Sequence, residues 1–172
     1  MKHTSLLPLA RTTLRALIFL NWILAALIFL LLVVSFLASA WTWRALGVGS
    51  AAGHEGVMAG MRAIMLIGII GAPIAWVILN RLLRIVESVR AGEPFQAENA
   101  QRLKTIAWSL LALQGLHLAV IAIASAASTK DVPLDMSDNF DPGGWLAILL
   151  QFVLAQVFLE GTRMRDDLAG TV

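Results

Sequence analysis

From Ala16 to Trp41 the chain reads ALIFLNWILAALIFLLLVVSFLASAW, broken only by Asn21, Ser35 and Ser39. An α-helix crosses the hydrocarbon core of a bilayer, roughly 30 Å thick, with about 20 mostly apolar residues. This run is longer than that. In hydrocarbon every backbone N–H and C=O must find its partner within the segment or a closed barrel, so the run reads as a transmembrane helix. Lys2, Arg11 and Arg15 before it and Ala38-Ser39-Ala40 near its end give it the outline of a signal peptide with a cleavage site. A signal-peptide core holds only about 7–15 apolar residues. The run is therefore read as a retained helix, and a mature N-terminus at Trp41 would contradict that reading.

Three further blocks have the same character. Ala63 to Leu79 lies between Arg62 and Asn80; Ile106 to Ala127 carries Ser109, Gln114, His117 and Ser125; Gly143 to Leu159, the shortest, carries Gln151 and Gln156. The expected architecture is all-α: one integral membrane four-helix bundle spanning residues 1–172, with helices at about 16–41, 63–80, 105–127 and 143–160. Composition agrees. The 172 residues are 59% hydrophobic and only 14% charged, whereas a soluble domain is about 45–50% apolar and about 25% charged. So few charges cannot coat a globule of this length. The absence of cysteine excludes disulfides, thiolate metal sites and thiol nucleophiles.

Loops rich in Lys and Arg stay in the cytoplasm. Lys2, Arg11 and Arg15 precede the first helix; Arg81, Arg84, Arg90, Arg102 and Lys104 lie between the second and third; Arg163 and Arg165 follow the fourth. Only Arg44, Arg62 and Lys130 of the 13 basic residues remain for the other side. Both termini are therefore expected in the cytoplasm, with the chain in a bacterial inner membrane. The net charge of +2 gives no basis for direct nucleic-acid binding. Of the two outer loops, Gly47 to Gly60 reads as flexible. Ser128 to Gly144 carries Asp131, Asp135, Asp138 and Asp141 without the spacing of a calcium loop, so it reads as solvated.

The connection at 81–104 is expected to form a cytoplasmic helical hairpin between helices 2 and 3. Leu82, Leu83, Ile85, Val86 and Val89 recur at helical spacing among Arg81, Arg84, Glu87 and Arg90, so helix 2 continues as an amphipathic arm. Gly92 suits a helix C-terminus, where the left-handed conformation is needed, and Pro94 prevents an immediate restart. Glu98 falls in the first turn of the next helix, where its charge meets the positive end of the dipole. Phe95 is then at the tip. Gly92, Pro94, Phe95, Glu98, Asn99 and Arg102, with Arg163 and Arg165 of the tail, form the candidate partner-binding face. The alternative use of its cations is to hold anionic headgroups of membrane lipids, at about 1 kcal/mol each. The intermixed Glu93, Glu98, Asp166 and Asp167 favour a protein partner over a pure lipid patch.

Two segments carry a family resemblance. Ala91-Gly92-Glu93-Pro94-Phe95 with Glu98-Asn99, Arg102-Leu103 and Ile106-Ala107-Trp108, and the ending from Gly144-Trp145-Leu146-Ala147 through Gly161-Thr162-Arg163-Met164-Arg165-Asp166-Asp167-Leu168 to Gly170-Thr171-Val172, resemble the bacterial domain-of-unknown-function 2975 family. The family's ending carries a glutamate where this chain has Ala169, so any role of that carboxylate does not transfer. The resemblance implies a four-helix inner-membrane protein without an attached catalytic activity. It also implies a layout often encoded beside a short helix-turn-helix regulator, which makes a small cytoplasmic DNA-binding protein the expected partner.

Inside the spans the polar residues are Asn21, Gln114, His117, Gln151 and Gln156. Polar side chains in hydrocarbon are costly and often functional, but they also serve as ordinary interhelical hydrogen bonds, worth about 0.6 kcal/mol on average. A metal at His117 is not expected, because His3 and His54 lie toward opposite faces, and no cofactor is expected. Gly68, Gly71, Ala72 and Ala75 beside Pro73 form a small-residue strip suited to close packing, within the bundle or in a homo-oligomer. No nucleophile–base pair or phosphate loop is present, so the leading expectation is a non-enzymatic regulatory or scaffold protein. The alternative is a small-molecule or lipid transporter or sensor with a polar intramembrane cavity near Gln114, His117 and Gln151.

Overall fold

A computed structural model describes residues 6–37, 55–129 and 142–169. It contains four helices: α1 (Leu6–Leu37), α2 (Glu55–Arg90), α3 (Ala97–Ala127) and α4 (Pro142–Ala169). Each is long and apolar enough to cross a membrane. The most apolar window, in α1, reaches a mean hydropathy of 3.0 with only 6% of its residues buried. Phe19, Leu24, Leu27, Phe29, Leu30 and Phe36 of α1 are all exposed. Such a surface is stable only against lipid.

The helices outrun the apolar blocks. α1 begins at Leu6 rather than residue 16, and the rest of its expected span, 38–41, lies outside the described residues. α2 starts at Glu55 instead of 63; it runs on past 80 to Arg90, as the spacing of Leu82 to Val89 predicts, and α3 starts at Ala97, which puts Glu98 in its first turn as expected. α4 runs to Ala169, past the expected end at 160. Hydropathy marks where lipid must lie, and a helix continues beyond that point wherever propensity and packing allow. At about 1.5 Å per residue the 36 residues of α2 span about 54 Å, far more than the roughly 30 Å of hydrocarbon. The stretch Gly56 to Gly60, expected as part of a flexible loop, is accordingly helical. The acidic loop around Asp131 to Asp141 lies outside the described residues.

The chain divides into two compact units. One comprises residues 1–20, 74–112 and 142–172 and so draws on all four helices. Its buried positions include Leu83, Ala100, Leu103, Ile106, Ala107, Ile148 and Ala155. On α3 these fall at 100, 103, 106 and 107, one stripe of a 3.6-residue helix. Trp108 meets Phe152 edge to face at 5.4 Å, and Arg11 of α1 pairs with Glu87 of α2 at 3.6 Å.

The other unit, residues 21–73 and 113–141, packs through small side chains. Leu32, Ser35, Val57, Ala72 and Ala124 are buried there. A Cβ on Gly68 would touch Ile28 of α1 at 3.6 Å, and one on Gly71 would touch Leu113 of α3 at the same distance. The small-residue strip thus serves close packing inside the chain. At Gly60 the approach is tighter, since a Cβ there would overlap the Ala127 Cβ. Near the end of α1, Arg62 donates to the Ser35 carbonyl at 2.7 Å and lies over the Phe36 ring at 4.2 Å.

Candidate functional site

The chain reverses from α2 to α3 within residues 91–96, in the first unit. α2 ends by a Schellman motif. Gly92 takes φ +84°, Gly92 N donates to Val89 O, and Glu93 N donates to Ser88 O, both at 3.1 Å. Only at Gly92 among the described residues is φ positive. Gln96 stands before the first residue of α3, where its carbonyl accepts from Asn99 N at 3.0 Å and its side chain donates to Glu93. Glu98 is exposed in the first turn of α3, as the dipole favours.

Asn99 holds the turn from beneath. Its side chain is fully buried. Nδ2 donates to Ser88 Oγ at 2.7 Å and to Pro94 O at 2.8 Å, and Oδ1 accepts from Arg102 at 2.6 Å. Ser88 Oγ in turn donates to Ile85 O at 2.8 Å. One amide therefore ties the end of α2, the turn backbone and the start of α3 together, using both amide hydrogens. A carboxylate or an apolar residue of similar size could not supply those two donors.

α4 closes the turn from the side. Phe95 does not stand free at a tip. Its ring lies 5.6 Å from that of Phe158 and packs over Gly161, where a Cβ would come within 3.6 Å of the Phe95 ring. Arg165 donates to Phe95 O at 2.9 Å. Phe95 as a residue is still 47% exposed. Arg102 is half-buried; Arg165 and Arg163 are exposed, and Arg163 pairs with Glu160 at 3.6 Å.

Gly92, Pro94, Phe95, Glu98, Asn99, Arg102 and Arg165 thus converge on this turn, while Arg163 lies nearby on α4 facing solvent. Ser88, Phe158 and Gly161 belong to the same cluster and were not among the candidate site residues, although Phe158 and Gly161 stand in the family-like ending. Ser88 offered a signal: it is a hydroxyl on the apolar face of the arm, among Ile85, Val86 and Val89. The intramembrane polar residues do not gather here. Asn21 donates to Ala72 O at 3.1 Å, bridging α1 and α2 beside Pro73. Gln114 and His117 are half-buried on α3 in the second unit; Gln151, half-buried, and Gln156, exposed, belong to α4 in the first. Among the described residues no three His, Asp or Glu side chains are grouped to hold a metal.

The profile of the family described as "Protein of unknown function (DUF2975)" matches residues 12–172, which takes in the turn, its buried asparagine and the α4 clamp. The chain belongs to the DUF2975 family. No curated protein and no solved structure matches this DUF2975 member. In this family member the turn backbone is held by side chains of two helices, Asn99 of α3 at Pro94 O and Arg165 of α4 at Phe95 O.

Proposed function

We propose that this protein is a non-enzymatic regulatory or scaffold component of a bacterial inner membrane, and that its α2–α3 turn with the adjoining end of α4 docks a cytoplasmic protein. The observation that supports this is the state of Phe95. Arg165 holds its carbonyl and Asn99 holds that of Pro94 just before it, while the residue stays nearly half exposed. Large exposed apolar groups rimmed by charge mark interaction sites, and aromatic side chains with Arg dominate binding energy at interfaces. Glu93, Glu98, Arg163 and Arg165 supply that rim. A rigid turn binds with little further loss of entropy, which favours affinity.

In this reading the turn lies in the cytoplasm and both termini with it, because the basic residues concentrate on that side. Asn99, being enclosed, acts by shaping the turn and not by touching the partner. The partner class implied by the family layout is a small helix-turn-helix regulator. The test is crosslinking in intact membranes followed by purification of the full chain in a mild detergent. The wild type should retain a defined cytoplasmic protein, and Phe95→Ala should lose it while inserting at the wild-type level. If the wild type retains none after crosslinking, the docking function fails.

A further inference from the structure

A cleft of about 180 Å³ opens between α3 and α4 of the first unit. It is lined by Ala100 and Ala155, both buried, and by Phe152. Gln101, Lys104 and Gln156 form its rim, and all three are exposed. The small side chains keep the space open. The rim is polar at a level where the rest of the surface is turning apolar.

That level is set by the neighbours. Ile106 and Ala107 begin the apolar stretch of α3, and Trp108, 57% exposed, stacks edge-on against Phe152 of α4. Exposed tryptophan favours the boundary between headgroups and hydrocarbon. Lys104 is one turn, about 6 Å, outward from Trp108, and Gln156 is one turn outward from Phe152. Lys104 and Gln156 therefore sit at headgroup and glycerol depth on two facing helices. Among the described residues neither has a hydrogen-bond or ion-pair partner. An exposed carboxamide amid Leu154, Val157 and Phe158 costs free energy unless something polar meets it.

We propose that this cleft is a binding site for an anionic phospholipid, with the phosphate on Lys104, the glycerol ester region against Gln156 and Gln101, and one acyl chain leaving along the Trp108–Phe152 pair. The preference for an anionic headgroup has a second support. An adjoining cleft of about 260 Å³ shares Gln101 and is lined by Arg81 and Arg102 with one carboxylate, Glu98. Basic pockets between transmembrane helices suit anionic headgroups. Gln101, Lys104 and Gln156 take no part in the protein docking proposed above, whereas Glu98 and Arg102 of the adjoining cleft belong to both surfaces.

The experiment is native mass spectrometry of the full chain in detergent, titrated with phosphatidylglycerol, phosphatidylcholine or inorganic phosphate. Phosphatidylglycerol should bind at least about fivefold more tightly than phosphatidylcholine, the factor expected of one cation near an anionic surface. Lys104→Gln should abolish most of that preference, and Gln156→Leu should weaken both lipids. Arg90→Gln, an equal change of charge at the far end of α2, should leave both unchanged. Both substituted rim positions are exposed, and unchanged thermal unfolding of the lipid-free variants confirms their folding. Equal binding of the two lipids, an Arg90→Gln effect as large as that of Lys104→Gln, no effect of Gln156→Leu, or displacement of the lipid by inorganic phosphate would each overturn the assignment.

Discussion

Asn99 and Gly92 fix the turn in different ways, and substitutions separate them. Asn99→Ala removes the donor from Pro94 O and from Ser88 Oγ while leaving the buried surface around them in place. Stranding a buried acceptor costs about 1–3 kcal/mol, and thermal unfolding in detergent should fall by the corresponding amount. Gly92 has open space around its Cα, so a methyl group there meets nothing. Its cost is purely conformational. Gly92→Ala should destabilise by about 1–2 kcal/mol, the penalty for an L residue in the left-handed region, whereas Gly92→Asn should cost visibly less. Equal losses for the two would show that φ is not the source. Gly92 was legible in the sequence because a glycine before a proline after an amphipathic run has one natural use. The role of Asn99 was not, because a polar residue in a first helical turn is ordinarily solvated and only packing reveals it as enclosed.

At the scale of helices, contact is governed by where side chains are missing. α2 and α3 approach so closely at Gly60 that a Cβ there would overlap the Ala127 Cβ, while the next nearest atom, Ile123 Cγ2, is 3.7 Å away. Gly60→Ala should therefore destabilise by about 1–3 kcal/mol, the usual cost of overpacking. Ala127→Gly in the same chain should restore most of it, because a single methyl group is in conflict. A double-mutant cycle on unfolding free energies measures this coupling, and additive losses would contradict the packing described. The sequence placed Gly60 in a loop because it precedes Arg62, where the apolar block begins. Helix ends outside lipid carry no hydropathy signal, so α2 before Arg62 and α4 beyond residue 160 were not visible in composition. The existence of all four helices was, since only long apolar blocks can satisfy their backbones in hydrocarbon.

For the whole molecule, the proposed topology is open to a direct measurement because the chain has no cysteine of its own. Single cysteines at Arg90 and at Gly49 should react with an impermeant maleimide on opposite sides: Gly49→Cys in intact cells, Arg90→Cys only after the inner membrane is opened. Labelling of Arg90→Cys from outside would reverse the orientation and remove the turn from the cytoplasm. The contact between Arg62 and the Ser35 carbonyl also bears on how such a chain is made. The acceptor is synthesised 27 residues before its donor. At about 5–20 residues per second, the last turn of α1 waits about one to five seconds on the ribosome for the guanidinium that completes it. The last turn of the first helix therefore gains this contact only when the second helix arrives beside it.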